Sequence, residues 1–137
     1  MTRRDLQQLS KIRLKEAKAL LESGLWDGAY YLAGYSIECA LKACIAKGTQ
    51  RYEFPDKKRV DSSHSHNLLD LLRIADLESA LVQAGREDPE FRNKWDTVRL
   101  WSEQSRYKKN SAKSARDLLA AIDEKGNGVF KCIQLHW

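Results

Sequence analysis

The sequence predicts an all-α protein, an up-and-down bundle of four main helices with short helices between them. Apolar residues recur at three- and four-residue steps along most of the chain, which is the spacing of one helix face. No segment shows the strict alternation of apolar and polar residues that is typical of a half-buried strand. Only 7 glycines and 2 prolines occur in 137 residues, so long helices are compatible with the composition.

The first two helices are predicted over residues 5–23 and 26–47, each followed by a glycine, Gly24 and Gly48, that can end a helix. The second is unusually apolar, so we expect it at the centre of the bundle. Residues 49–63 carry many charges, a proline and no sustained period, which predicts a long exposed loop.

Two short helices are predicted next, opening at His66 and at Asp76. Asp88 followed by a proline then predicts the start of a longer helix, which the apolar spacing extends to about Tyr107. The buried stripe of that helix is expected to contain Phe91, Trp95, Val98, Trp101 and Ser105.

Ser111 is expected to cap a last long helix through its side chain. The positions predicted to face inward there are Ala112, Ala115, Leu118, Leu119 and Ile122. Gly126 and Gly128 should interrupt this helix before a short apolar segment at the end of the chain.

Length and composition predict one domain and limit the classes of function. The 24 basic residues exceed the 19 acidic ones by five, which favours nucleotides, RNA or an acidic partner protein, although solubility alone also explains such an excess. Cys39, Cys44 and Cys132 are odd in number and form no CxxC pair, so we expect free thiols in a cytoplasmic protein. The first residues contain no apolar signal segment, and no run of about 18 apolar residues occurs, which argues against export and membrane insertion.

Four polar residues share one face of the predicted central helix. Tyr31, Tyr35, Glu38 and Lys42 follow one another at steps of four, three and four. This face could present a carboxylate, an ammonium group and two phenols to a ligand. Alternatively, Glu38 and Lys42 form an ion pair one helical turn apart, and the tyrosines pack against a neighbouring helix or subunit.

A second polar pattern runs along the helix predicted after Asp88. Arg92, Arg99 and Arg106 stand seven residues apart and alternate with Asp96 and Glu103, which predicts a continuous ladder of opposite charges on one helix face. Such ladders are usually solvated surfaces.

Arg106 differs from the other arginines because it lies next to Tyr107 and Lys108. A guanidinium beside a phenol and an ammonium group could bind phosphate. We therefore take Arg106 and Tyr107 as candidate functional residues, and Lys108 as a further ligand-binding candidate, with an ordinary structural role for Arg106 equally open.

His64 and His66 could supply two metal ligands, but the spacing indicates no third, so no metal site is predicted. His66 remains a weaker candidate for ligand binding. The sequence contains no glycine-rich phosphate loop and no common catalytic signature, so no cofactor is expected.

Taken together, several segments resemble the HEPN (higher eukaryote and prokaryote nucleotide-binding) domain family. They are AYYLAGYSIECALKACIAKG at 29–48, HNLLDLL at 66–72, WSEQSRY at 101–107 and SAKSARDLLAAI at 111–122. The resemblance implies a helical bundle that commonly forms homodimers and associates with nucleotides or RNA. It also implies, as a potential partner, a small nucleotidyltransferase in a toxin–antitoxin type of system.

Active ribonucleases of this family carry an arginine and a histidine four to six residues apart near the end of the late helix. Arg106 matches that arginine, but the histidine positions hold Ser111, Ala112 and Lys113, which cannot act as an imidazole acid or base. The resemblance therefore favours a binding or partner module, with a degenerate metal-independent ribonuclease using Arg106, and Tyr107 or His66 as its base, as the alternative.

Overall fold

The computed structural model describes residues 1–49 and 64–137, and these contain helices but no strand. The elements are α1 (Arg3–Glu22), α2 (Trp26–Lys47), α3 (Leu68–Ile74), α4 (Glu78–Glu87), α5 (Pro89–Arg99), a 3-10 helix (Glu103–Tyr107), α6 (Ala112–Asp123) and α7 (Val129–Gln134). The predicted all-α helical bundle is confirmed. The loop predicted over 49–63 lies, apart from its first residue, outside the described residues.

Helix α1 begins two residues earlier than the apolar pattern indicates because its first turn is capped by side chains. The Thr2 hydroxyl accepts a hydrogen bond from the backbone N–H of Asp5, and the Asp5 carboxylate accepts one from the backbone N–H of Thr2. Gly24 has a φ of +76°, a conformation that glycine adopts at little cost, and this turn sends the chain back along α1 as α2.

Helix α2 lies at the centre of the bundle, as its composition predicts. It packs against α1, α3, α6, α7 and the 3-10 helix. Its residues from Ala33 to Ile45 are almost all buried, whereas the other long helices bury only one stripe. A buried hydrogen bond from the Ser10 hydroxyl to the Ser36 carbonyl, 2.6 Å long, joins α1 to α2 within this core.

The prediction that one helix runs from Asp88 to about Tyr107 is wrong, because α5 ends at Arg99. The chain turns so that Leu100 is 77% exposed and Trp101 only 3% exposed. The Ser102 hydroxyl then accepts a hydrogen bond from the N–H of Gln104 and so caps a separate 3-10 helix. The ladder of Arg92, Arg99 and Arg106 predicted on one helix face is therefore broken after Arg99.

The C-terminal part agrees with the sequence. The Ser111 hydroxyl accepts a hydrogen bond from the N–H of Ser114 at the start of α6. Of the five inward positions predicted for this helix, Ala115, Leu118, Leu119 and Ile122 are buried, whereas Ala112, the first residue of the helix, is only partly buried. Gly126, with a φ of +95°, lies in the turn before α7, so the predicted interruption is confirmed.

Burial of two cysteines predicts a loss of stability at high pH. Desolvation raises the pKa of the Cys39 and Cys44 thiols to about 11, whereas an unfolded thiol ionises near pH 8.5. The unfolded state therefore loses these protons first, and stability that is complete below about pH 8.5 declines as the pH rises towards about 11. Urea unfolding between pH 7.5 and 10.5 should show a free energy of unfolding that falls with pH.

Other groups ionise in the same pH range, so the double variant Cys39→Ala/Cys44→Ala is the control. We expect its free energy of unfolding to fall less steeply with pH than that of the original protein. Equal slopes in the two proteins would contradict this assignment of the alkaline instability to the thiols.

Candidate functional site

A carboxylate buried within the central helix is the innermost group of the candidate site. Glu38 is 1% exposed, and burying a carboxylate is costly unless it is paired. Its Oε2 lies 3.3 Å from Nζ of Lys42, one turn further along α2. Both Glu38 oxygens also lie 3.1 Å from Nδ1 of His66. The carboxylate thus has two partners, one from its own helix and one from a different segment.

His66 is held beside the core by the start of α3. Asn67 caps that helix by accepting a hydrogen bond from the N–H of Asp70, and its own N–H donates to the Ser65 hydroxyl. On the side of the ring opposite Glu38, His66 Nε2 lies 3.5 Å from Oε2 of Glu103. Each ring nitrogen therefore faces a carboxylate, and Nδ1 forms the hydrogen bond with Glu38, whereas the contact of Nε2 with Glu103 is an electrostatic one.

Glu103 connects the histidine to Arg106. Both residues belong to the 3-10 helix, and Nη1 of Arg106 lies 3.4 Å from Oε1 of Glu103. The Arg106 guanidinium also lies over the Tyr107 ring, with its Cζ 4.7 Å from the ring centroid. Desolvation acts to lower the pKa of Arg106, but the Tyr107 phenol and the Glu103 carboxylate raise it more, so its pKa is raised overall.

Five side chains therefore form a continuous charged row, namely Lys42, Glu38, His66, Glu103 and Arg106. The row leaves the core at Glu38, whose side chain is 2% exposed, whereas the side chains of His66, Glu103 and Arg106 are 46%, 23% and 44% exposed. The buried carboxylate orients the histidine, and the second carboxylate orients the arginine. A guanidinium fixed in this way is a suitable donor for a phosphate or carboxylate group from solvent.

The aromatic residues of α2 have a structural role. The Tyr31 ring stacks on Tyr35 and on Trp101, with centroids 6.0 Å apart in both pairs. Burial raises the pKa of Tyr35, and the neighbouring Cys39 and Glu38 raise it further. The alternative in which the tyrosines pack and Glu38 pairs with Lys42 is thus present in the structure, and the same packing holds the charged row in place.

The remaining predicted residues lie at the outer end of the charged row. The Tyr107 side chain is 71% exposed. The backbone N–H of Lys108 donates to the Ser105 carbonyl, 3.1 Å away, and ends the 3-10 helix, while the residue itself is exposed. The next residues are tied to the start of α2, because the Asn110 N–H donates to the Asp27 carboxylate over 2.5 Å.

Two contributors to the site are not among the candidate functional residues predicted from the sequence. Glu103 is predicted only as a member of the charge ladder, and its ion pair with Arg106 three residues later agrees with that spacing. Gly34 is the other contributor, and no pattern in the sequence indicates its role. A Cβ at this position would lie 2.2 Å from the Trp101 ring, so only glycine lets the indole approach α2 this closely.

The structure shows no basis for a metal site within the ranges 1–49 and 64–137. No three side chains of the types that usually bind metals converge there. His64 is exposed, while His66 contacts the two carboxylates of the charged row. All three cysteines are free thiols.

This arrangement defines an all-helical domain in which a polar row leads from a buried carboxylate to an exposed arginine. The family model of the HEPN domain matches residues 4–125, so the chain belongs to the HEPN domain family. No curated protein and no solved structure matched the chain. None of the helices in the described ranges is both long and apolar enough to span a membrane.

Proposed function

We propose that this HEPN domain is a binding module for nucleotides or RNA, in which Arg106 and Tyr107 contact the ligand. The observation that carries the proposal is the charged row, which holds an arginine at the surface through a chain of side chains anchored on Glu38. The family is nucleotide- or RNA-associated, and the basic excess of the chain favours an anionic ligand.

The chemistry of the exposed end suits a nucleotide. A guanidinium has five N–H donors, and the contact with Glu103 uses Nη1. The donors that Glu103 and Tyr107 leave unused are available for phosphate oxygens, with the exposed Lys108 as a second cation. The Tyr107 ring is 71% exposed and can stack on an unpaired base. Lys42 and His66 act from within the row by orienting Glu38 and Glu103.

Replacing Arg106 with alanine is expected to weaken binding at least tenfold, because the variant lacks the guanidinium that contacts phosphate. Fluorescence anisotropy with a labelled 12-nucleotide single-stranded RNA, and with a labelled nucleoside triphosphate, measures the Kd. Circular dichroism confirms that the variant is folded.

Arg99→Ala is a closely matched control. Arg99 also pairs with an acidic residue three positions earlier, Asp96, at 3.3 Å, and its side chain is 49% exposed. We expect its Kd to stay within about twofold of the original value, because a single exposed charge changes binding little through general electrostatics. If both variants lost the same binding affinity, the effect would be explained by net charge alone, which would contradict the proposed site.

The proposal includes a homodimer and a small nucleotidyltransferase as protein partner, in a toxin–antitoxin type of system. Leu100, which is 77% exposed and lies three residues before the 3-10 helix that carries Arg106, supports an interface on this side of the molecule. Light scattering at micromolar concentration should report a dimer. A result that shows only monomer would contradict the proposed homodimer. A cytoplasmic location and the absence of a cofactor remain predictions.

One observation favours an alternative function, a degenerate metal-independent ribonuclease. The motif histidine is absent from positions 111–113, but His66 reaches the same carboxylate as Arg106, namely Glu103. His66 could then take the proton of a ribose 2′-hydroxyl while Arg106 stabilises the phosphate that it attacks.

Metal-free incubation with mixed structured and single-stranded RNA distinguishes the two functions. For a binding module we expect no cleavage by the original protein. Cleavage that disappears in both Arg106→Ala and His66→Gln, with both variants folded, would replace the binding proposal by the ribonuclease.

A further inference from the structure

A groove of about 380 Å³ lies between α3, α4 and α5, and none of its lining residues belongs to the charged row. Its apolar lining comes from all three helices. Val82 is 49% exposed, and Leu69 and Trp95 are partly buried against the core, whereas Leu72 and Leu81 lie beneath them and are only 1% and 2% exposed. The apolar surface that the groove presents therefore comes from Val82, Leu69 and Trp95.

The charges around this groove are not balanced. Its acidic residues are already paired, Glu78 with Arg73 at 3.1 Å and Asp96 with Arg99 at 3.3 Å. Arg86 and Arg92 also line the groove, and neither has a carboxylate within 4.0 Å among the residues that the structure describes. Within residues 1–49 and 64–137, two guanidinium groups thus stand unpaired beside the apolar lining of the groove.

The base of the Arg92 side chain lies where α4 packs closely on α5. A Cβ at Gly85 would lie only 3.2 Å from Cβ of Arg92, so the absence of a side chain at Gly85 allows the first carbons of the arginine to lie against α4. Arg92 is otherwise exposed, so its guanidinium is accessible to a ligand in the groove.

We infer that this groove is a docking site for an acidic segment of a partner protein. The segment places one or two large apolar side chains on the apolar lining and carboxylates against Arg86 and Arg92. The volume matches this number of side chains, and a carboxylate forms bidentate pairs with a guanidinium. Docking combines apolar burial with electrostatic complementarity, the mode by which amphipathic helices enter grooves.

A nucleic acid fits the groove less well. Most of the lining is aliphatic and offers no hydrogen bonds to a base, and Trp95, the one aromatic residue among the described residues that line it, is partly buried against the core, so little flat surface is available for stacking. The partner is therefore a protein, and this surface is separate from the proposed nucleotide site at Arg106.

A random library of displayed 12-residue peptides tests the inference, because it offers the groove acidic, basic and apolar segments side by side. The original protein should enrich peptides that combine Asp or Glu with Leu, Ile or Phe. The double variant Arg86→Glu/Arg92→Glu should bind the strongest such peptide at least tenfold more weakly in fluorescence anisotropy.

Arg4→Glu/Lys15→Glu is the matched control. It makes the same change in net charge at two exposed residues of α1, and its Kd for the peptide should stay within about twofold. Equal weakening in the two double variants would overturn the inference, as would enrichment of peptides without acidic residues.

Two other occupants are also tested. If single-stranded RNA binds the original protein and the control double variant but not Arg86→Glu/Arg92→Glu, the groove is a nucleic-acid site and the inference is wrong. If light scattering shows that this variant dissociates a dimer of the original protein, the groove is an interface between two copies, which also overturns it. Neither result concerns the Arg106→Ala comparison, so the proposed function is tested separately.

Discussion

Replacing Gly34 with alanine is expected to destabilise the protein by about 2–3 kcal/mol, although this change usually stabilises a helix. The added Cβ would lie 2.2 Å from the Trp101 ring, so the indole has to move out of a position in which it is 3% exposed. Thermal unfolding should show a Tm lower by roughly 10 °C. Displacement of Trp101 should also shift tryptophan fluorescence and weaken RNA binding, because the 3-10 helix that carries Arg106 follows it directly.

Gly28→Ala is the control on the same helix. Its Cβ would meet only the end of the Leu20 side chain, 3.1 Å away, which can shift, so we expect little loss of stability. In a Trp101→Ala background, Gly34→Ala should cost much less than in the original protein, since the clash is gone. An unchanged cost in that background would show that Trp101 is not the cause.

The second large effect is expected at Glu38, the buried end of the charged row. Glu38→Ala removes the partner of both Lys42 and His66, and the Lys42 side chain is only 20% exposed. Removing Glu38 from this partly buried pair leaves the Lys42 ammonium without its counter-charge and opens a cavity, so we expect a loss of about 2 kcal/mol in the free energy of unfolding. Urea unfolding measures it.

The double variant Glu38→Leu/Lys42→Met separates charge from packing. It replaces both members of the pair with apolar side chains of similar size, so it should be clearly more stable than Glu38→Ala. Asp117→Ala breaks the exposed pair with Lys113, 2.6 Å long and also one helical turn apart, and should cost less than about 1 kcal/mol. A similar cost for Glu38→Ala and Asp117→Ala would mean that burial of the carboxylate is unimportant.

Much of the fold could be predicted because local signals agree with burial. The bounds of α2 at Trp26 and Lys47 are those predicted, since a continuous apolar pattern ends at a glycine. The error at Tyr107 is instructive, because Val98, Trp101 and Ser105 are buried as predicted yet do not lie on one helix. Inward-facing positions at helical spacing are compatible with one continuous helix. They are equally compatible with a shorter helix that is followed by a turn and a 3-10 helix.

The candidate site was predictable only where it depends on one helix. The Glu38–Lys42 pair follows from a spacing of four residues. The contact of His66 with Glu38 joins residues 28 positions apart, and the close approach of Trp101 to Gly34 depends on how two elements pack. Such contacts are set by tertiary structure, so residue spacing alone could not indicate that His66 and Arg106 share Glu103.

The charged row combines three segments of the chain, those around Glu38, His66 and Arg106, which meet only in the folded protein. A ligand that needs the complete row has no comparable site on the unfolded chain. By mass action, such a ligand at a hundred times its Kd adds about 2.7 kcal/mol to the free energy of unfolding. The resistance of this domain to unfolding, and to proteases that cleave unfolded chains, is therefore expected to rise with the concentration of its ligand.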